Sequence, residues 1–239
     1  MASAQLASLI AFLRARLSPD GYLGLHLTLG ALLIVVAGWV FGGIADAVAG
    51  ADTITLIDVD IAQWLHTHAN PAVTKFMLLI THMHGVPGIV VMSLLTGLVF
   101  VWKKEWYWLL ALAVSVGGGM IINVLVKHAF QRARPSFDDP LLLLTTYSFP
   151  SGHTAGATLF YGALATYLFY RIRSWRWRMP IVAIAILMVL AVGVSRMYLG
   201  VHYLSDVLGA IAESIAWLAL SLTTVSALRR RKEALSLKE

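Results

Sequence analysis

The sequence holds no cysteine, and only 13% of its 239 residues are charged. The first absence excludes a disulfide framework, iron–sulfur clusters and thiolate zinc sites. The second, set against about 25% in an ordinary soluble chain, argues against a soluble globular enzyme, because a water-facing surface needs polar groups to cover it. Internal repeats and low-complexity tracts are missing as well, which weakens an inverted-repeat transporter. So is the alternating pattern of a transmembrane barrel strand. What abounds is apolar: 59% hydrophobic residues and a mean hydropathy of +0.79, more than one soluble core can bury and far too much for a disordered chain. The net charge of +6 would suit nucleic acid, but the basic residues sit between apolar runs, as membrane topology is written. The partner implied is a lipid bilayer and not a nucleic acid.

Six apolar spans are predicted, at Tyr22–Ala45, Gly85–Trp102, Trp106–Val126, Gly152–Tyr170, Met179–Val194 and Tyr203–Val225. Each is close to the ~20 residues that cross a bilayer, although the second and fifth are short. Backbone amides in lipid must be satisfied within their own segment, so the spans are read as helices and the chain as all-α. Residues 46–84 are mixed in character and predict helices lying at the surface. The run after Arg14 and Arg16 exceeds the roughly 7–15 residues of a signal h-region, so a retained first helix is expected. Six spans put both termini on one side. That side holds Arg14, Arg16, Lys103, Lys104, Arg171, Arg173, Arg176, Arg178, Arg229, Arg230, Arg231, Lys232 and Lys238, leaving only Lys75, Lys127, Arg132, Arg134 and Arg196 opposite. Cytoplasmic termini follow from that asymmetry. The expected organisation is a cytoplasmic segment 1–21, a six-helix domain 22–228 and a basic tail 229–239.

Polar residues gather at three helix ends on the side poor in basic residues. They are Lys127-His-Ala-Phe-Gln-Arg-Ala-Arg134-Pro135, then Pro150-Ser-Gly-His153, then Ser195-Arg196 followed by His202 and Asp206. Lys127, Arg134 and Arg196 concentrate cations where few are expected, which calls for an anion, and guanidinium forks match phosphate oxygens. Ser151 and Gly152 open a helix, whose unpaired N–H groups and dipole favour an anion. His202 and Asp206 stand four apart on one helix face. The carboxylate can accept one imidazole N–H and leave the other nitrogen as a nucleophile. His153 has no carboxylate so placed, which suits an acid that protonates a leaving oxygen.

In that order and spacing, Lys-x6-Arg-Pro, Pro-Ser-Gly-His and Ser-Arg-x5-His-x3-Asp resemble the three signatures of the type 2 phosphatidic acid phosphatase (PAP2) family, which shares its site with vanadium haloperoxidases. Eleven specified positions match without a departure, and an ordered triple is far more specific than one tetrapeptide. The resemblance implies a PAP2-type helical bundle and a phosphoryl transfer that needs neither metal nor cofactor. His202, oriented by Asp206, would become a phosphohistidine, and His153 would serve the leaving group and then water. Lys127, Arg134, Ser151, Gly152 and Arg196 would hold the equatorial oxygens, where charge spreads in the transition state. It further implies a lipid phosphate substrate: phosphatidate, phosphatidylglycerophosphate, undecaprenyl diphosphate or a lipid A phosphate. The distribution of basic residues puts the three clusters at the outer face, and the compact chain suits a bacterial cytoplasmic membrane.

Other readings stay open from sequence. A phosphotransferase would use the same phosphohistidine, and a lipid transporter would place polar residues at mid-membrane rather than at helix ends. Haloperoxidases are generally soluble. Arg132 reads as a headgroup contact. His66, His68, His82 and His84 read as a polar mouth rather than a metal site, and Glu213 has no assigned role. Trp102, Trp106, Trp108, Trp175 and Trp177 read as an interfacial belt. The glycines at 117–119 and the pairs Gly38/Gly42 and Gly152/Gly156 read as close-packing positions.

Overall fold

The computed structural model describes residues 25–236, and every regular element among them is helical. The segment 1–21 and the first residues of the expected first span lie outside this range. In chain order α1 is Leu25–Ala49, α2 Thr53–Thr67, α3 Pro71–Met83 and α4 Val86–Trp102. Then α5 (Trp106–Ala113) runs through a π turn, Val114–Gly118, into α6 (Gly119–Phe130), followed by α7 (Gly152–Arg171), α8 (Trp175–Tyr198) and α9 (Leu204–Ser236).

Local chemistry explains the interruptions. Asn70 caps α3 by accepting from the Val73 N–H at 3.0 Å, with Pro71 at the first helical position. Gln131, left-handed at φ 47°, ends α6 immediately after Phe130. The π turn leaves the Val114 carbonyl to accept from the Trp217 indole N–H at 3.1 Å.

Among the described residues four helical stretches are long and apolar enough to cross a membrane: Leu27–Ala49, Trp106–Phe130, Trp175–Tyr198 and Leu204–Lys232. The pair α3 and α4, bent by 53° at their junction, makes a fifth if taken as one span. Length and composition alone thus pass four or five of the six expected spans among the described residues. The difference is α7. It is 20 residues long but carries Thr154, Thr158, Tyr161, Thr166 and Tyr167. It tolerates them because it runs through the middle of the bundle, where Ile89, Phe100, Leu112 and Val116 of the neighbouring segments pack on its Leu159, Phe160, Ala163 and Tyr167. Its hydroxyls turn back on their own helix, Thr158 to the Thr154 carbonyl at 2.8 Å and Thr166 to Gly162 at 2.7 Å. Leu32, Val35 and Trp39 of α1, Leu94 and Leu98 of α4, and Ile184 and Leu187 of α8 face outward, as lipid-facing residues must.

Close approach is selective. At Gly30 a Cβ would stand 2.2 Å from Thr223 Oγ1, so glycine lets α1 lie against α9, and Gly118 and Gly119 admit Trp217 in the same way. Among the described residues Gly38, Gly42 and Gly117 meet nothing within 4 Å, so the close packing expected of them is not seen there. Trp102, Trp106, Trp175 and Trp177 are exposed as expected of a belt, but Trp108 turns inward onto Tyr167.

The bundle has two chemically different ends. Glu105 before α5 pairs with Arg171 at the end of α7, and Arg229 lies 6.0 Å from the Tyr107 ring, so the strongly basic turns share one end. At the other end α6 and α8 finish and α7 and α9 begin, joined by the Ser151 N–H donating to the Asp206 carbonyl at 3.0 Å. Helix α3, expected on the surface, packs along α8 at this end and buries Thr81, with His84 buried just beyond it.

Candidate active site

The three sequence clusters converge at this second end. Ser151 is the N-cap of α7, fully buried, and Gly152 and His153 form the helix's first turn. His153 Nε2 lies 3.5 Å from where a Gly85 Cβ would stand, so it faces the break between α3 and α4. Lys127, in the last turn of α6, donates to the carbonyls of Tyr147 (2.8 Å), Ser148 (3.2 Å) and Pro150 (2.8 Å). Three ammonium donors are thus spent on holding the loop that leads into α7. Lys127 lends the site its charge and the shape of that loop.

His202 is buried between α8 and α9, its Nδ1 3.3 Å from Asp206 Oδ2 and its Nε2 3.1 Å from Arg134 Nη1. With a guanidinium donating to Nε2, the ring proton is assigned to Nδ1, where it donates to Asp206. Burial pushes the pKa of His202 down to about 3; Arg134 and Arg196 add to that, and Asp206 opposes it. The imidazole is neutral at physiological pH, as a nucleophile requires. Sequence spacing implied a free second nitrogen; here Arg134 covers it. The same arginine also donates to the carbonyls of Thr146 (2.6 Å), Tyr147 (3.0 Å) and Val201.

Arg196 is different. It is 1% exposed, donates to the Thr81 hydroxyl through Nη1, and has no partner for Nε or Nη2 among the described residues. Buried guanidinium N–H groups left without acceptors are costly. Two donors on one edge of a planar fork match two oxygens of a phosphate.

Several participants were not legible in the sequence. Arg132, read as a headgroup contact, instead donates to Asp206 Oδ1 at 2.7 Å and Asp58 Oδ2 at 2.8 Å. Ser148 donates to Asp206, and Thr81 meets Arg196. Glu213 accepts from the Asn123 amide at 3.1 Å, across to α6. The histidines at 66, 68, 82 and 84 do not gather into one cluster: His66 pairs with Asp139 at 2.9 Å, His68 and His82 bond to their own helices, and buried His84 bonds to the Tyr161 hydroxyl at 2.8 Å.

A sequence model described as "PAP2 superfamily" matches residues 108–230, just over half of the chain and all three clusters. The chain belongs to the PAP2 superfamily. Among its relatives, phosphatidylglycerophosphatase B of Bacillus subtilis (strain 168) is 34% identical over 145 residues, 59% of this chain and 70% of that one. Undecaprenyl-diphosphatase BcrC of the same organism is 33% identical over 101 residues, 41% of this chain and 47% of that one. The crystal structure of a transmembrane PAP2 type phosphatidylglycerolphosphate phosphatase from Bacillus subtilis superposes with a TM-score of 0.72 at 28% identity, covering 79% of this chain and 93% of the other. Aquifex aeolicus LpxE shares the fold alone, with a TM-score of 0.56 at 22% identity over 70% of this chain and 94% of that one. With its apolar helices, this PAP2 superfamily member is a multi-pass membrane protein.

Proposed function

We propose that this PAP2 superfamily hydrolase removes phosphate from lipid phosphates or diphosphates through a phosphohistidine on His202. The observation that carries the reading is the buried, half-partnered Arg196 beside the His202–Asp206 pair at the mouth of α7. In the first step His202 Nε2 attacks phosphorus and the phosphorus–oxygen bond to the leaving group breaks. His153 gives that oxygen its proton while the Asp206 carboxylate stabilises the positive charge growing on the His202 ring. Arg196, the Gly152 N–H, the Ser151 hydroxyl, Arg134 and the Lys127 charge hold the phosphoryl oxygens. Arg134 leaves His202 as substrate arrives, trading the nitrogen for a phosphate oxygen. In the second step water, deprotonated by His153, attacks phosphorus. The N–P bond breaks and inorganic phosphate leaves.

The names of the relatives make phosphatidylglycerophosphate and undecaprenyl diphosphate the substrates to try first, with phosphatidate as a third. Purified protein should release phosphate from at least one of these in the presence of a strong chelator, and vanadate should block it, because the chain's own cations supply the charge stabilisation. Loss of activity in chelator that Mg²⁺ restores would overturn the mechanism. Phosphate appearing on an added alcohol faster than in water would favour the phosphotransferase reading.

The site is read as extracytoplasmic, since the opposite end carries the basic turns. There a lipid can bring in its headgroup while its tails stay in hydrocarbon, avoiding their transfer to water. Ser136, in the exposed loop at the site end, and Ser174, in the exposed basic turn, allow a test, because the chain has no native cysteine. Of the two single variants, Ser136→Cys should react with an impermeant maleimide in intact cells and Ser174→Cys should not. The reverse pattern would put the site on the cytoplasmic side.

A further inference from the structure

Asp206 has two oxygens with separate duties. Oδ2 accepts from the Tyr203 N–H at 2.8 Å and the Ser148 hydroxyl, and faces His202. Oδ1 accepts from Arg132 Nη1 at 2.7 Å. The same Nη1 reaches the Ser205 hydroxyl at 2.6 Å, and Nη2 reaches Asp58 Oδ2 at 2.8 Å. Asp58 is fully buried on α2, outside residues 108–230, and also accepts from the Ser205 N–H at 2.9 Å and the Ser205 hydroxyl. The guanidinium carbon of Arg132 lies over the Tyr203 ring, 4.4 Å from its centroid. One guanidinium is thereby wedged between two buried carboxylates and an aromatic face, with both ends of its fork engaged.

We infer that Asp58 and Arg132 are positioning residues that aim the His202–Asp206 pair, an inference that rests on reading His202 as the nucleophile. A carboxylate on one torsion can rotate in place, and Arg132 prevents this by occupying Oδ1. Oδ2 is then the oxygen left for the imidazole, which fixes the ring plane and the direction of Nε2. Asp58 has two effects. It holds the far end of Arg132, and it balances the guanidinium charge. Without that balance Arg132 would draw on Asp206 alone and weaken the stabilisation of a positive His202 ring during attack. A role in gripping phosphate is contradicted by the same geometry, since the Nη groups of Arg132 are directed at carboxylates and a hydroxyl rather than at Arg196 or the α7 N-terminus. The arrangement also gives α2, which lies outside the matched region, a reason to be part of the enzyme.

The test uses full-length protein in detergent, a short-chain phosphatidic acid as probe, and separate determination of kcat and KM. For Arg132→Gln, kcat is expected to fall by about 10- to 100-fold with KM within threefold of wild type, because the oxygen-binding groups are untouched. Removing a neighbouring positive charge also eases protonation of His202, so the acid limb of kcat/KM should move to higher pH. Simple loosening of the fold would not move that limb. A kcat within threefold of wild type would overturn the inference, as would a tenfold rise in KM at unchanged kcat, which is the mark of a phosphate ligand. Should Arg132→Gln aggregate on gel filtration, Asp58→Asn decides by the same kcat and KM criteria, with the acid limb expected to move to lower pH because a negative charge is lost: the amide still accepts from Ser205 but carries no charge. His202→Ala is measured alongside. If it retains activity, the nucleophile reading falls and this inference with it. If it is dead while Arg132→Gln and Asp58→Asn run at wild-type kcat, this inference alone falls.

Discussion

His202→Ala is expected to lose at least about 1,000-fold in kcat, because it deletes the atom that bonds to phosphorus rather than a group that helps it. The variant should nonetheless fold. Asp206 keeps the Tyr203 N–H, the Ser148 hydroxyl and Arg132, so truncating the ring does not leave a buried carboxylate alone. Gel filtration in detergent checks the fold, and labelling with a phosphate-labelled lipid, quenched in alkaline detergent, checks the chemistry. Wild type should carry acid-labile, base-stable phosphate on protein, and the variant none. Turnover within tenfold of wild type would remove His202 as nucleophile. A stability signature accompanies the kinetic one. His202 titrates near 6.5 unperturbed and at about 3 in the fold, so the unfolded chain binds more protons across that interval. Wild type therefore loses stability as pH falls from about 6.5 towards 3, and His202→Ala should lose less over the same window. Melting temperatures at pH 7.5 and 5 in one detergent measure the difference.

What the sequence revealed about this site follows how local its signals were. His202 and Asp206 are one helical turn apart, and Ser151 to His153 are contiguous, so spacing alone brought each group together. Asp58 and Arg132 are 74 residues apart and meet only because α2 folds back over the start of α9. Asp58 was one of several aspartates in a mixed stretch, with nothing in its periodicity to distinguish it from Asp46, Asp52 or Asp60. Arg132 sat inside a motif but at a position the motif leaves open. Length and composition pass only four or five of the six expected spans for a related reason. Hydropathy measures contact with lipid, whereas α7 contacts mainly other helices and can be rich in threonine and tyrosine. The glycines show the limit of pattern as well. Gly30 and Gly38 look alike in sequence, yet one faces Thr223 and the other faces outward. The roles of Lys127 and Arg134 needed coordinates, because charge and motif place a cation near phosphate without revealing that its donors are spent on loop carbonyls.

Arg196→Met is expected to raise the melting temperature of the unliganded protein by about 2–5 °C while lowering kcat/KM by about 100- to 1,000-fold. The two signs have one cause. Arg196 is 1% exposed, with Nε and Nη2 lacking partners among the described residues, so the folded protein carries a desolvated charge that an anionic ligand relieves. Methionine fills nearly the same volume with no charge to desolvate, and replacing buried ionic groups by apolar ones of similar size is commonly neutral to stabilising by about 1–4 kcal/mol. The one bond lost, to Thr81, leaves a hydroxyl that can turn back to a carbonyl of its own helix. Catalysis suffers because the guanidinium edge is matched to oxygens whose charge grows as the leaving bond breaks. Vanadate, added to both proteins, separates this account from a general packing effect. A ligand that binds only the folded state raises stability by its mass-action term, so wild type should gain and Arg196→Met should gain little, reversing their order at high vanadate. A variant less stable than wild type without ligand would mean that Arg196 is satisfied in the resting protein. A variant that gains as much from vanadate as wild type would mean that phosphate is held elsewhere.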